Sequence, residues 1–295
     1  MSFAIVSDAA CDLPKSYVEA NQVEILPIHL RFGHEIANDV RDPALAMRFY
    51  RTYLEHKDID AETAPYTPQE TAAFFRRLLA RYERILCITI TSQRSHIHAH
   101  CTEARRLLNA GDRIEVIDSN SLFAGQAAVV AAAVEMREQG ASFDEIVHEV
   151  RHCATIVEAF VMPYDLYYMR ARARKRGDKS IGLLQYLAGQ ALDIKPIIHA
   201  RGVETSVATK ARGVQDALNE IFERAISVVD QGLRLPILPL AYAGNPKDIT
   251  QLPKYRELEL AAKAREVQLL VSIMSTTAGV YLGPGSFGFG FLPRA

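Results

Sequence analysis

Three groups of hydroxyl side chains fall in loops that follow or connect apolar runs: Thr63, Ser92 with Ser95, and Ser119. A cluster of neutral donors suits a carboxylate or phosphate head group. Each hydroxyl taken alone has a plainer use as a helix cap, so the ligand reading depends on these loops converging. His96, His98 and His100 alternate in SHIHAHC and raise the question of a metal. On a helix, alternation spreads side chains around the cylinder, and only His96 and His100, at i and i+4, share a face. No acidic residue stands in that stretch before Glu103 and there is no HExxH, so no metal site is expected. No GxSxG elbow presents a serine nucleophile. Gly283, Gly285, Gly288 and Gly290 have no following helix and form no dinucleotide fingerprint. Gly283-Pro284-Gly285 reads instead as a sharp turn bringing the chain close to something else. The run Arg170, Arg172, Arg174, Lys175, Arg176 is either a solvated surface or a docking site for an acidic or phosphate-bearing partner. With no acid, base and nucleophile constellation, the chain reads as a non-catalytic protein without a cofactor.

Convergence of the loops requires a parallel sheet, whose strand C-termini share one edge. The sequence supplies one. FAIVSD, RILCITITS and RIEVID are apolar, β-branched runs that stop at small or acidic residues. VEILPIHLRFG reads as a further strand. Helices are expected at Pro43 to His56, with Leu45, Phe49 and Tyr53 on one face, in the segment that follows the polar stretch TSQRSHIHAH up to Leu108, and from Ala124 to Gln139. AETAPYTPQE reads as a loop broken by Pro65 and Pro68. Thr67 N-caps the next helix with Glu70 as its capping-box partner. Strands alternating with helices predict right-handed crossovers. After TIVEAFVMPY the pattern changes. SIGLLQYLAGQAL reads as a helix, DIKPIIHARGVETS as a strand turning into a hairpin, and Gly213 to Gln231 as a long helix. A strand at LPILPLAYAG, a helix around Leu258 to Ala264 and a strand at EVQLLVSIMS follow, then a tail rich in Gly and aromatic residues. The expected fold is α/β in two domains, residues 1–158 with a mainly parallel sheet and 159–295 with a mixed sheet.

The 295 residues, 49% of them hydrophobic, are long for one core and ample for two. Lys and Arg total 34 against 35 Asp and Glu, a balance that does not favour nucleic acid. No apolar run reaches the roughly 20 residues of a membrane span, and the N-terminus lacks the basic start and long apolar core of a signal peptide. Cys11, Cys87, Cys101 and Cys153 are scattered without a CxxC pair, which fits a reducing compartment. The expected location is the cytoplasm.

Several segments, in order, resemble the DegV family of bacterial fatty-acid-binding proteins. Asp8 with Cys11-Asp12-Leu13-Pro14 is similar to its DS-x-x-D-L signature, with Ala9 at the serine. Leu26-Pro27 followed by Asp39 matches its LP strand and later aspartate. Thr63-Ala64-Pro65-Tyr66-Thr67-Pro68 resembles its TSQPS loop, with Ala64 at the second position. Ser95-His96-Ile97 falls at its SGT, and Ile117-Asp118-Ser119 at its IDS. Arg172-Ala173-Arg174 stands at its GGR and keeps only the arginine. Ile194-Lys195-Pro196-Ile197-Ile198 with Lys210 and Arg212 resembles its IKPI strand and K-x-R sequel. Gly283-Pro284-Gly285 matches its terminal HxGPG, with Tyr281 at the histidine.

The resemblance implies a long-chain fatty acid buried in a tunnel between two domains. It further implies that Thr63 and Ser95 hold the carboxyl group, and that the protein carries and presents it to a separate fatty-acid kinase. Ser92, Ser119, Tyr281 and Arg174 complete the expected lipid-binding set. Bulky His96 in place of glycine is expected to narrow or reshape the head-group loop. The phenol of Tyr281 replaces a titratable imidazole by a neutral donor. Ligand affinity is therefore expected to be nearly flat between about pH 6 and 8, provided no other group titrates at the head group. The alternative is a divergent paralogue that has lost acyl binding, with Ala64, His96 and Tyr281 as its marks, and acts as an interaction or regulatory protein.

Overall fold

The computed structural model describes residues 2–56, 59–176, 194–202 and 204–294, excluding the side chains of residues 54, 55 and 172–176. Strands β1 (Phe3–Asp8), β2 (Val23–Leu26), β6 (Arg84–Thr89) and β7 (Ile114–Asp118) form a wholly parallel sheet in the order β2-β1-β6-β7. Ile5 pairs with Val23 on one side and Leu86 on the other, so β1 is central and buried.

A second sheet is mixed. It contains β8 (Glu158–Met162), β9 (Ile194–Arg201), β10 (Glu204–Arg212), β11 (Ile237–Tyr242), β12 (Gln268–Ile273) and β13 (Phe287–Phe291). Their order is β10-β9-β8-β13-β11-β12, and only β11 and β12 run parallel. The α/β class with a parallel first sheet and a mixed second sheet is thus as the sequence predicts.

One helix joins the two sheets. Phe123–Glu138 is apolar on every side, and Ala124 to Val134 are all buried. A helix without a polar face must be covered all round. Here its Val129, Val130 and Val134 share one core with Ile5 and Leu86 of the parallel sheet and with Ile237 and Leu270 of the mixed sheet. Helices Pro68–Leu79 and Ile97–Leu107 cover the other face of the parallel sheet, and Gly213–Gln231 and Pro253–Ala264 that of the mixed sheet.

The Gly-aromatic tail supplies the strand at the heart of the mixed sheet. In FGFGF the pleat sends Phe287, Phe289 and Phe291 into the core around Phe222. The alternate glycines let other backbone approach: a Cβ on Gly290 would lie 2.3 Å from the carbonyl oxygen of Ala124. Composition alone concealed this strand. The helices Phe143–Ile156 and Thr276–Leu282 are likewise additions to the elements read from sequence.

Two expectations need correction. VEILPIHLRFG is two strands, because Pro27 has no N–H to donate and marks the switch between sheets. β2 ends at Leu26, and β3 (Ile28–Phe32) enters a separate antiparallel sheet with β4 (Glu35–Asp39) and β5 (Ala61–Pro65). The supposed loop AETAPYTPQE therefore begins with a strand, and Thr63 sits opposite Leu30 in the ladder. The Thr67–Glu70 capping box after it is present in both directions. The helix read at SIGLLQYLAGQAL lies outside the described residues.

Candidate functional site

The carboxyl ends of the parallel strands are tied together by buried polar groups. Asp8 accepts N–H groups from Ala10 at 3.0 Å and Ile90 at 2.7 Å, and an amide hydrogen of Gln126 at 3.0 Å. Burial raises its pKa to about 6, against these hydrogen bonds. Asp118 accepts from the backbone of Ser92 at 2.9 Å and of Asn120 at 2.8 Å. These bonds fix the loops after β1, β6 and β7 against the start of Phe123–Glu138.

Beside this edge lies a cavity walled by the three-stranded sheet, the mixed sheet and the loops that follow the parallel strands. Ile28, Thr63, Ala64 and Pro65 belong to the three-stranded sheet, while Ile90, Arg94, Ser95 and Ile97 belong to the segment after β6. Ala159, Phe160, Val161, Ile198, Ala200, Thr205, Gly288 and Phe289 belong to the mixed sheet. The start of Phe123–Glu138, the face of Thr276–Leu282 carrying Thr277 and Tyr281, and Asp12, Leu122, Met169 and Met274 complete it. Among the described residues, only Asp12, Thr63, Arg94, Ser95, Thr205, Thr277 and Tyr281 bring polar side chains into a lining otherwise apolar. Such a lining suits a ligand that is mostly hydrocarbon with a small polar group.

Three of the six expected residues meet here: Thr63, Ser95 and Tyr281. Ser95, one residue before the N-cap His96, also accepts the N–H of Ile97 at 3.3 Å, so it has a local backbone role. It does not exclude the other, because the hydroxyl keeps its own hydrogen to donate. Ser92 and Ser119 are elsewhere. Ser92 is exposed, and Ser119 is fully buried in a local turn, exchanging two 3.2 Å bonds with the backbone of Ser121. Arg174 falls on the helix Leu166–Arg176, in the part whose side chains lie outside those described.

His96 does not narrow the site. Its φ of −85° is ordinary for any residue, so the position makes no demand for glycine. The side chain is exposed, stacked on His100 with ring centroids 6.3 Å apart, and absent from the lining. His98 meets the Thr89 hydroxyl at 3.3 Å, and His100 bonds the carbonyl of Tyr66 at 2.7 Å. Among the described residues, no three His, Cys, Asp or Glu side chains converge as metal ligands.

Gly283 and Gly285 both have φ of +81°, the left-handed region that favours glycine. A Cβ on Gly283 would lie 2.1 Å from the Tyr168 ring, and one on Gly285 2.7 Å from that of Tyr164. The turn therefore packs flat on two tyrosines, and it follows the helix that presents Tyr281.

Four polar lining residues, Asp12, Arg94, Thr205 and Thr277, were not read from the sequence as ligand contacts. Arg94 stands between the suspected Ser92 and Ser95, and Thr277 lies one helical turn before Tyr281. Asp12 is wholly buried and was visible only as part of a motif. It accepts the N–H of Ser275 at 2.7 Å and faces Arg41 at 3.7 Å. Arg41, held at φ of +65°, also donates to the carbonyls of Leu13 at 3.1 Å and Ile273 at 2.7 Å. Asp39 accepts from Thr276 nearby. This network fastens the segment before Thr276–Leu282 to the first third of the chain.

A family model described as "Uncharacterised protein, DegV family" matches residues 2–294. A DegV domain-containing protein of Xanthomonas campestris is 35% identical over 306 residues, covering 99% of this chain and 97% of its own length. Among solved structures, a DegV family protein from Thermus thermophilus described by its fatty acid binding superposes with a TM-score of 0.80 at 20% identity, over 100% of both chains. A stearic-acid-binding protein from Eubacterium ventriosum gives 0.79 at 23% identity, over 99% of this chain and 98% of its own. At these identities the structural likenesses speak for the fold.

Proposed function

Since the chain belongs to the DegV family, we propose that it binds a long-chain fatty acid in the cavity between its parallel and mixed sheets. The acyl chain lies against the apolar wall of the mixed sheet. Thr63, Ser95 and Tyr281 donate to the carboxyl group from the opposite side. The observation that carries this reading is the composition of the lining, in which these three hydroxyls stand among aliphatic and aromatic side chains. Burying hydrocarbon contributes roughly 0.8 kcal/mol per methylene, so most of the affinity comes from the tail and the hydroxyls set its direction.

Residues 1–158 and 159–295 act as the two domains that enclose the ligand. The role is that of a carrier without catalysis of its own. Presentation of the carboxyl group to a separate fatty-acid kinase rests on the family resemblance alone. No helix among the described residues is long and apolar enough to cross a membrane, so the acyl ligand is the lipid contact proposed.

Mass spectrometry of an organic extract of the purified protein tests the reading. A co-purifying fatty acid near one per chain is expected. An extract without lipid, together with failure of the stripped protein to take up palmitic acid, would favour the diverged paralogue instead.

A further inference from the structure

Two polar atoms in the cavity wall have no hydrogen-bond partner among the described residues: Oδ2 of Asp12 and Oγ1 of Thr277. Both are shielded from solvent, and Asp12 is 0% exposed as a residue. They are neighbours in the fold, since Oδ1 of Asp12 takes the N–H of Ser275, two residues before Thr277. Thr277 in turn lies four residues before Tyr281 and shares its helical face. That helix packs on β5, the strand of Thr63. The unpartnered pair therefore belongs to the side of the cavity that carries Thr63 and Tyr281.

An acyl carboxylate placed there meets a second carboxylate. Like charges at close range in a water-poor site are strongly unfavourable unless a proton lies between them. Resting on the fatty-acid reading above, we propose that the ligand's carboxyl group and Asp12 share a single proton, while Thr277 donates to the ligand's other oxygen. This arrangement fills both unpartnered atoms at once: Oδ2 of Asp12 gains its hydrogen bond and the Thr277 hydroxyl gains an acceptor. The proton comes from solvent on binding, so one proton is taken up per ligand and no covalent bond is made or broken.

The surroundings permit this. Burial raises the pKa of Asp12 to about 6, with Arg41 pulling it down and Asp39 pushing it up. The other charged or titratable groups facing Asp12 are Tyr50, whose hydroxyl bonds the carbonyls of Met274 and Ser275 at 2.9 Å, and, in the cavity lining, Arg94 and Tyr281. Arg41 Nη1 lies 3.7 Å from Oδ1, while Oδ2 has no hydrogen-bond partner among the described residues. The flat pH profile expected from Tyr281 alone assumed no other titrating group at the head group, and Asp12 is one.

Palmitic acid titrated into stripped protein provides the test. Above about pH 6, where both free carboxyls are ionised, affinity should fall by about tenfold per pH unit. Calorimetry at pH 7.5 in two buffers of different ionisation enthalpy should show one proton taken up per ligand, a readout on the unaltered protein. Asp12→Asn keeps an acceptor for Ser275 and offers an N–H to the carboxylate, so it should bind with a flat profile. Thr277→Val should weaken binding by about tenfold at every pH with the slope unchanged. Binding with no proton uptake and a flat wild-type profile would overturn the shared proton and leave the fatty-acid reading standing. No binding at any pH would overturn both.

Discussion

The two ends of the cavity are built in opposite ways. At the mixed-sheet end the wall is mostly apolar, with Ala159, Phe160, Val161, Ile198, Ala200, Gly288 and Phe289 beside the single hydroxyl of Thr205, and small residues flank the stacked rings of Phe160 and Phe289. At the other end the wall is held by hydrogen bonds that reach across the sequence, from Asp12 to Ser275 and from Tyr50 to Met274. An apolar wall discriminates weakly and in proportion to area. A hydrogen-bonded wall discriminates by geometry and charge, because an unpaired buried group carries a real cost. The molecule thus keeps capacity and direction in separate places, and each can be altered alone.

The largest effect is expected at the apolar end. Ala200→Phe puts a ring where the proposed tail would lie. If it displaces about four methylenes, palmitic acid loses about 3 kcal/mol of binding, while decanoic acid loses far less. Equal losses for the two acids, read by titration, would mean the tail does not run along β9.

The hydrogen-bonded end should reveal itself next, in the stability of the unliganded protein. Asp8 and Asp12 both have native pKa values raised to about 6 from 3.8 by burial. The native state then binds more protons than the unfolded state between these values. Stability from these groups therefore rises as pH falls from about 7 toward 4 and is reduced above about 6. Thermal melts should show a higher midpoint at pH 5 than at pH 7.5. Asp12→Asn should stabilise the unliganded protein at pH 7.5 by on the order of 1–3 kcal/mol. A lower midpoint for that variant would show the Arg41 pairing to matter more than the burial of the charge.

Thr63→Ala should weaken palmitic acid binding by about 1–2 kcal/mol with little change in unfolding, the usual scale for a hydrogen bond to a charged group. The smallest effects separate the hydroxyls that line the cavity from those that do not. Ser119→Ala should cost about 1 kcal/mol of stability in denaturant melts and leave affinity unchanged, because both its bonds are to Ser121. Ser92→Ala should change neither.

The contrast between the ends also explains what could be read from sequence. Periodic patterns expose elements with one buried face, so the helices at Pro43–Glu55 and Gly213–Gln231 and the parallel strands were legible. β13 was not, because Gly290 is needed by the helix that crosses it and Gly288 by the neighbouring strand β8, tertiary requirements that read locally as a flexible tail. Thr63 and Ser95 were found by type and position, although Thr63 lies on a strand. Ser119 has the same type and a similar position, and nothing local says that its hydroxyl turns back on its own loop. Asp12 and Thr277 come together only through the bond to Ser275, 263 positions from Asp12 in sequence. Pairings at that distance leave no periodic trace.

A crystal structure of the protein soaked or grown with palmitic acid tests the central claim most directly. The carboxyl group should lie within hydrogen-bond distance of Thr63, Ser95 or Tyr281, close to Asp12 and Thr277, with the tail running past Ala159 and Ala200 toward Phe289. A ligand in the reverse orientation, or one bound outside this cavity, would contradict the account.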